Sequence, residues 1–410
     1  MNQYTDTDVE IMKTTGQNDI DTKRLFQLED GIAETAERIS SEVFRHPELG
    51  DSEFYCSAFL ADEAEKAGFE VTRGYLGLPT AFRADFGNAG GPTVAFLAEY
   101  DALPGYGPDG TENGHACGHN WIAASTFAAA AALKALKEET GFQGRISWIG
   151  CPAEENNNRK ITLIERGAFK DVDAALQMHL GRETTVHTSA LACAVLHYDF
   201  AGKAAHASAA PENGINALDA VMLTFSGINC LRQHVTSDVR IHGVVRDGGH
   251  APNVVPDHGS MEVYIRAAKL DYLEEVIEKV ANCARGAALM TGAKLTITRD
   301  ETTTCDIRND PVIAGILAEQ LEALGEKLTV PSRASTGSTD IGNVTYEVPT
   351  AYANMGVSEY SDAGTHDAAF LDVADSPFAH DKLHIAAKAM AATALRIFLD
   401  PDLQAQILRH

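Results

Sequence analysis

The sequence lacks a long uninterrupted apolar run. Its longest, Trp121–Leu136, is rich in alanine and includes Ser125 and Thr126, and it is shorter than the about 20 apolar residues that a membrane-spanning helix needs. The first residues, Met1–Arg24, are polar and contain no apolar segment of the kind found in secretion signals. We therefore expect a soluble protein with a disordered N-terminal segment, residues 1–25.

Basic residues and closely spaced cysteines are also scarce. The chain has 33 Lys and Arg against 58 Asp and Glu, which gives a formal net charge of -25. Such a surface repels phosphate backbones and anionic lipids, so nucleic acids and membranes are not expected partners.

The seven cysteines are odd in number and scattered, which does not resemble a disulfide framework. This cysteine usage predicts a reducing, cytoplasmic compartment.

The pattern of apolar runs predicts an α/β fold. At 410 residues the chain exceeds the size at which a single core normally stops growing, so two domains are expected. Short apolar runs predict buried strands at Thr93–Ala98, Arg145–Cys151 and Ala174–Met178. Polar residues follow each run, and helices are predicted between them. This alternation predicts an open mixed sheet with helices on both faces and a ligand site beyond the carboxyl ends of its strands.

The middle of the chain has a different pattern. Alternating and helical segments predict elements in the order βαββαβ, at Ala192–Ala201, Asn216–His234, Arg240–Val245, Gly259–Ala267, Leu270–Thr291 and Lys294–Arg299. This order is that of a ferredoxin-like α+β module. We predict that this module, residues 189–304, is inserted between the two parts of a catalytic domain, residues 26–188 and 305–410.

The most informative motif is Gly114–Asn120, in which Cys117 and His119 are separated by Gly118. A thiolate and an imidazole are both good ligands for zinc and for other divalent transition metals. Their side chains project together only from a loop or an extended segment, and a glycine between them gives the backbone the necessary freedom. A Cys-x-His pair is a weak signal by itself. This pair gains weight because it follows a carboxylate motif, Glu99–Pro104, at a predicted strand end.

Carboxylates at two predicted strand ends extend the candidate site. Asp101 follows the first strand, where it can orient a metal ligand, although an Asp in this context is also typical of a turn or helix cap. Glu154 and Glu155 follow Pro152 and the second strand, and in an extended backbone they point in different directions. One of them can then bind metal while the other acts as general base toward a water molecule. The alternative is an ordinary solvated Glu pair.

Two histidines complete the set. His179 follows the third predicted strand, and His366 lies in the glycine-containing segment Gly364–Asp367 before an apolar helix start. Either histidine alone would more often be structural. Together with the carboxylates and the Cys-x-His pair, they predict a hydrolytic metal site.

These motifs, in this order and spacing, resemble those of the M20 family of metallopeptidases and amidohydrolases. The similarity is greatest to its aminoacylase-like branch, which includes aminobenzoyl-glutamate and indoleacetyl-amino acid hydrolases. The resemblance implies a catalytic α/β domain, an inserted lid domain that dimerises, and two divalent metal ions, Mn²⁺ or Zn²⁺. It further implies that the metal ligands are Cys117, His119, Glu155, His179 and His366, that Glu154 is the base, and that Asp101 is the orienting carboxylate.

The resemblance extends to the predicted lid. The segment Gly202–Ser208 is similar to a family segment whose histidine, here His206, reaches the site of a neighbouring subunit and stabilises the oxyanion. Asn253 and Arg266 resemble residues of the family's substrate-binding stretch, where they would donate a hydrogen bond and pair with a carboxylate. The resemblance thus implies a homodimer and a small substrate that bears a carboxylate. Without the family resemblance, a purely structural interpretation is equally good, with Asn253 in a hairpin loop and Arg266 on the surface of a sheet.

One segment departs from the family pattern. After Glu155 this branch has a glycine-rich run, whereas this chain has Asn156-Asn157-Asn158-Arg159. Asn156 and Arg159 are therefore candidate substrate-binding donors, for carboxylate or nitro oxygens on a compact aromatic ring. Capping of the next helix is an equally good interpretation.

We expect a metal-dependent hydrolase of a C–N bond, the amide of an N-acyl or N-aroyl amino acid. A first alternative is hydrolytic deamination of an aromatic amine, such as a nitroanthranilate, at the same metal centre. A second alternative is a non-catalytic metal-binding protein. The presence of both Glu154 and Glu155, with every expected ligand position filled, argues against the second alternative.

Overall fold

The computed structural model describes residues 17–407 apart from 108–109, 111, 333–334 and 336. The α-helices, in chain order, are α1 (Gln17–Asp30), α2 (Ala33–Arg45), α3 (Phe54–Lys66), α4 (His119–Thr140), α5 (Glu154–Asn157), α6 (Arg159–Glu165), α7 (Ala217–Leu231), α8 (Leu270–Thr291), α9 (Pro311–Ala323), α10 (Ile341–Glu347), α11 (Leu371–Ala374), α12 (Pro377–Leu399) and α13 (Pro401–Ile407). The strands are β1 (Glu70–Arg73), β2 (Phe82–Gly87), β3 (Thr93–Ala98), β4 (Arg145–Gly150), β5 (Ala174–Gly181), β6 (Ala192–Ala201), β7 (Arg240–Asp247), β8 (His258–Ala267), β9 (Lys294–Arg299) and β10 (Thr350–Gly356).

The chain divides into two compact units. The smaller unit holds Ala190–Asp306 together with Ser335–Gly342, and the larger unit holds the rest of the chain. The larger unit is built on a six-stranded mixed sheet in the order β1-β2-β4-β3-β5-β10. In this order, adjacent strands from β4 to β10 run parallel to one another. Strand β2 runs antiparallel to both of its neighbours, β1 and β4. Because parallel strands end at the same edge of a sheet, the segments that leave β3, β4 and β10 meet at that edge.

Helix α4 lies at the centre of the larger core. Its residues from His119 to Lys134 are all buried, and it packs against α1, α2 and α12 as well as strands β3, β4 and β5. Its many alanines allow these neighbours to approach closely, and this burial accounts for the long apolar stretch in the sequence. Within the described residues, no helix is long and apolar enough to cross a membrane.

The N-terminal helix corrects part of the prediction that residues 1–25 are disordered. Helix α1 starts at Gln17, and Leu25 is fully buried in the larger core. Arg24 also donates two hydrogen bonds to the carboxylate of Glu139, at 2.9 and 2.6 Å. Tertiary packing therefore orders a segment whose composition is polar. The rest of the prediction, residues 1–16, lies outside the described residues.

The smaller unit carries an antiparallel sheet in the order β7-β8-β6-β9, and helices α7 and α8 pack against it. Along the chain its elements follow the ferredoxin-like order βαββαβ. The segment Ser335–Gly342, which lies within the predicted second part of the catalytic domain, associates with this unit. There Gly337 O accepts a hydrogen bond from Leu191 N, and Ser338 Oγ donates one to Leu191 O, both at 2.8 Å.

Candidate metal centre

A buried aspartate organises the site just beyond strand β3. Asp101 is 1% exposed. Its Oδ1 lies 2.7 Å from His119 Nδ1, and its Oδ2 accepts a hydrogen bond from the backbone N–H of Glu155 at 2.9 Å. Because a carboxylate is an acceptor, Nδ1 of His119 carries a proton, and Nε2 is the nitrogen through which the neutral ring would bind a metal. One side chain thus orients both an imidazole and the backbone of the Glu pair.

The Cys-x-His motif has the backbone that its glycine predicts. Gly118 is in the left-handed region with φ 82° and precedes the first residue of α4, so Cys117 lies before the helix and His119 in its first turn. Cys117 Sγ is 3.4 Å from His179 Nε2. The other nitrogen of that ring, Nδ1, donates to Leu180 O at 2.5 Å. His179 therefore also presents an unprotonated Nε2 to the site.

The Glu pair lies in the first turn of α5, and His366 approaches from a loop. Glu155 Oε1 is 3.2 Å from His366 Nε2 and 3.8 Å from His119 Nε2. His366 has a left-handed backbone, with φ 70°, and its N–H donates to Ala116 O at 2.8 Å. A left-handed conformation costs a residue with a side chain about 1–2 kcal/mol, and strain of this kind is concentrated at functional sites.

The side chains brought together here fit a divalent transition metal. Three overlapping groups each have ligand atoms within 4.8 Å of one another, namely Cys117 with His119 and His179, Cys117 with Glu155 and His366, and His119 with Glu154 and Glu155. Nε2 of His119 is buried and, within the described residues, has no hydrogen-bond partner. Such a mixed set of sulfur, nitrogen and oxygen donors suits zinc or manganese. All five predicted ligands and Glu154 therefore surround one space.

A buried ion pair beside this space was not predicted from the sequence. Lys160 is fully buried, and its Nζ lies 2.5 Å from Glu99 Oε1. The other oxygen of Glu99, Oε2, lies 3.5 Å from His119 Nε2. Burial disfavours ionisation of Glu99, but the Lys160 ammonium and then His119 outweigh it and hold the pKa of that carboxyl below its usual value. Glu99 begins the carboxylate motif, whereas no spacing in the sequence marks Lys160.

Tyr352 is a second neighbour that the sequence did not reveal. It is 8% exposed on β10, and its ring centroid lies 6.5 Å from that of His179. Burial, followed by the negative charges of Glu99 and Glu154, raises the pKa of Tyr352 well above its usual value. Its phenol is therefore protonated and able to donate a hydrogen bond.

The residues that replace the family's glycine-rich run contact the loop before α3. Arg159 donates from Nε and Nη2 to the two carboxylate oxygens of Asp51, at 2.8 and 2.7 Å. Asn156 Nδ2 donates to Gly50 O at 3.4 Å. These contacts brace one loop against another. The predicted substrate-binding roles of Asn156 and Arg159 stay predictions.

The three remaining candidates, His206, Asn253 and Arg266, belong to the smaller unit. His206 is exposed, and its Nδ1 accepts from the N–H groups of Ser208 and Ala209, both at 3.4 Å. Its Nε2 therefore carries the proton and is available as a donor. Asn253 is exposed, and Arg266 is half-buried on β8. Their predicted roles toward substrate also stay predictions.

Comparison with known proteins decides the family. Residues 95–396 match the model of the peptidase family M20/M25/M40. The chain belongs to this family. The predicted family and the predicted class, a hydrolase, are thereby confirmed.

Individual relatives agree with this assignment over nearly their whole length. The chain is 33% identical over 396 residues to the Xaa-Arg dipeptidase of Mus musculus, covering 93% of this chain and 90% of the relative. It is 31% identical over 447 residues to one of the subunits of the p-aminobenzoyl-glutamate hydrolase of Escherichia coli (strain K12), covering 92% of each. A dinuclear metal binding peptidase of the M20 family from Bacillus subtilis has the same fold, with a TM-score of 0.65 at 22% identity over 88% of this chain and 98% of that chain.

For this M20 hydrolase we predict that Asp101→Asn weakens the binding of Mn²⁺ or Zn²⁺ by about 10–100-fold, the usual effect of losing a partner that orients a ligand. The amide has a single acceptor oxygen, so either His119 Nδ1–H or Glu155 N–H faces an NH₂ group. Competition with a chelator measures the affinity. Asp171→Asn is the matched control because Asp171 pairs with Arg83 and Arg145 and is not one of the predicted metal ligands. Equal affinities in the two variants would contradict the orienting role.

Proposed function

We propose that this M20 hydrolase cleaves the amide bond of an N-acyl or N-aroyl amino acid at a centre held by Cys117, His119, Glu155, His179 and His366. The observation that carries the proposal is that these side chains and Glu154 form three overlapping groups. Within each group the candidate ligand atoms lie within 4.8 Å of one another. The similarity to a p-aminobenzoyl-glutamate hydrolase supports the class of substrate.

The donor set supports two divalent ions, because Cys117, His119 and Glu155 each belong to two of the three ligand groups and the five proposed ligands exceed the four that one zinc ion usually takes. The thiolate favours Zn²⁺, whereas the carboxylate oxygens also suit Mn²⁺. When bound, such ions supply a water that ionises near neutral pH and a Lewis acid for the substrate carbonyl. Asp101 fixes the tautomer of His119, and the Leu180 carbonyl does the same for His179.

Glu154 is the proposed general base. It takes a proton from the attacking water while the water oxygen bonds to the carbonyl carbon, and it returns that proton to the amide nitrogen as the C–N bond breaks. The products are a carboxylic acid and a free amino acid. Asn253 and Arg266 are proposed to hold the carboxylate of the substrate, which a guanidinium binds through paired hydrogen bonds.

We also propose that the protein is a homodimer that associates through the smaller unit, with His206 of one subunit donating Nε2–H to the oxyanion in the site of the other. Strand β7 lies at the edge of the smaller sheet and exposes Val244 and Val245, which are 51% and 48% accessible. An exposed apolar edge strand is a surface on which another chain can pair. In this proposal the smaller unit is the lid of the site.

A reducing, cytoplasmic location is proposed from the cysteines. All seven lie within the described residues and none forms a disulfide there, and Cys56, Cys117, Cys151 and Cys305 are buried. Structural disulfides are typical of oxidising compartments.

A substrate panel tests the proposed reaction and its alternatives. The metal-reconstituted protein is incubated with p-aminobenzoyl-glutamate, indole-3-acetyl-aspartate, an Xaa-Arg dipeptide and a nitroanthranilate, and the release of both amino acids and ammonia is measured. Amino acid release from the first two is expected. Release of ammonia from the nitroanthranilate alone would show that the protein is a deaminase and not an amide hydrolase. Turnover of the dipeptide alone would show that the substrate carries an aminoacyl group in place of the proposed acyl or aroyl group. No turnover with tightly bound metal would favour a binding protein.

A further inference from the structure

A buried carboxyl group lies behind the turn that carries Glu154 and Glu155. Glu53 is fully buried, and its Oε1 accepts a hydrogen bond from the backbone N–H of Ala153 at 2.7 Å. Two residues further along, Asp101 Oδ2 accepts from the N–H of Glu155 at 2.9 Å. Two separate buried side chains therefore hold this turn at two of its peptide groups.

The turn needs such support because Ala153 has a left-handed backbone, with φ 55° and ψ 43°. A Cβ atom disfavours this conformation, whereas glycine adopts it readily. A residue of this kind stays left-handed only where its surroundings enforce the conformation. The hydrogen bond to Glu53 is donated by the N–H of Ala153 itself, so it stabilises the strained residue directly.

The loop that carries Glu53 also packs closely against the turn. A Cβ added to Gly50 would lie 2.8 Å from Ala153 Cα and 2.2 Å from Asn156 Oδ1. There is thus no space into which the turn could shift toward this loop. Packing limits the position of the turn, and Glu53 supplies the polar contact that fixes its peptide.

We propose that Glu53 is a positioning residue that holds Ala153 left-handed, so that Glu154 and Glu155 project into the metal centre. The proposal rests on the proposed function for the roles of those two glutamates. Burial, followed by the negative charge of Asp101, raises the pKa of Glu53 to about 8. The carboxyl group is therefore protonated at neutral pH, and a glutamine, which is uncharged and keeps the acceptor oxygen, reproduces it.

The experiment compares Glu53→Met, Glu53→Gln, Ala153→Gly and the double variant Glu53→Met/Ala153→Gly. Mn²⁺ affinity is measured by chelator competition, together with kcat and KM on a panel substrate. We expect Glu53→Met to weaken Mn²⁺ binding and to lower kcat by about 10-fold or more, with little change in KM, and Glu53→Gln to stay close to wild type. Ala153→Gly is expected to restore much of the loss in the double variant, because glycine adopts φ 55° without help.

Glu48→Ala is the control for loss of loop stability. Glu48 lies in the same loop, and its carboxylate caps α3 by accepting from the N–H groups of Tyr55 and Cys56, at 3.0 and 2.8 Å. This variant should unfold at a lower temperature yet bind Mn²⁺ with wild-type affinity. If Glu53→Met does not fold, Glu53→Asp, which keeps the carboxyl group on a shorter side chain, takes its place with the same expected ranking.

Wild-type Mn²⁺ affinity in Glu53→Met, or a double variant no better than the single one, would overturn the positioning role. Equal losses in Glu53→Met and Glu53→Gln would do the same. Metal affinity is measured without turnover. A wild-type protein that binds Mn²⁺ but cleaves no panel substrate would therefore overturn the proposed function, while the affinities of the variants would still decide the role of Glu53.

Discussion

Replacing Glu154 with Gln is expected to lower kcat by about 10²- to 10⁴-fold, the usual contribution of a general base. Glutamine keeps the size of the side chain but cannot accept the proton of the attacking water. The proposed ligand set does not include Glu154, so the variant should retain its metal. Steady-state kinetics on a cleaved panel substrate and metal analysis of the same sample measure the two effects.

Glu165→Gln is the matched control for this experiment. Glu165 is an exposed residue at the end of α6 and has no proposed role, so kcat should equal that of the wild type. Full activity in Glu154→Gln would contradict the proposed base. Loss of metal from Glu154→Gln would instead identify this side chain as a ligand, and Glu155 would then be the candidate base.

The second large effect is expected from Lys160→Met, which should lower the free energy of unfolding by about 3–5 kcal/mol. Lys160 is fully buried and Glu99 is 1% exposed. Removal of the ammonium leaves the Glu99 carboxylate without the partner that lies 2.5 Å from it. Urea unfolding in the presence of a chelator measures the change without a contribution from metal binding.

A double variant separates the buried charge from the packing of the lysine. Lys160→Met/Glu99→Gln removes the Glu99 charge together with that of its partner, so it should recover part of the lost stability. Lys66→Met is the control, because the Lys66 side chain is 67% exposed and the carboxylate of its partner Glu63 keeps a second ion pair, with Arg38. Removal of such an exposed charge is expected to cost about 0–1 kcal/mol. A loss in Lys160→Met no greater than in the control would contradict the importance of the buried pair.

Much of the site could be predicted because it follows from strand geometry. The apolar run Thr93–Ala98 is β3 as predicted, and β4 ends one residue before the predicted boundary. Polar residues that follow neighbouring parallel strands must lie close together. This is why Asp101 and Glu154 could be placed near each other from the sequence, although 53 positions separate them. The need for backbone freedom at Gly118 was predicted for a similar local reason, and this residue is left-handed in the structure.

Buried charged side chains whose partners lie far away in the sequence could not be predicted. Strand β2 contains Arg83 and Asp85, which interrupt its apolar pattern, and Arg83 is buried only because Asp85 and Asp171 neutralise it at 3.0 and 2.8 Å. Lys160 is buried for the same kind of reason. Nothing local in the sequence tells such a buried charge from one on the surface. Helix α1 likewise depends on packing.

The family pattern also left the segment after Glu155 unexplained. From the sequence, Arg159 is a candidate donor to substrate or part of a helix cap, and the structure adds that its Nε and Nη2 donate to Asp51. The two residues are 108 positions apart. A contact across that distance cannot be inferred from a single sequence.

Metal removal and reconstitution test the proposed function most directly. The rate of amino acid release from p-aminobenzoyl-glutamate and indole-3-acetyl-aspartate is measured for the purified protein, for the same protein after chelation, and after addition of Mn²⁺ or Zn²⁺. We predict that chelation abolishes hydrolysis, that one of the two ions restores it, and that neither ion restores it in a His119→Ala variant. Hydrolysis that continues at the same rate after complete metal removal would contradict the proposed function.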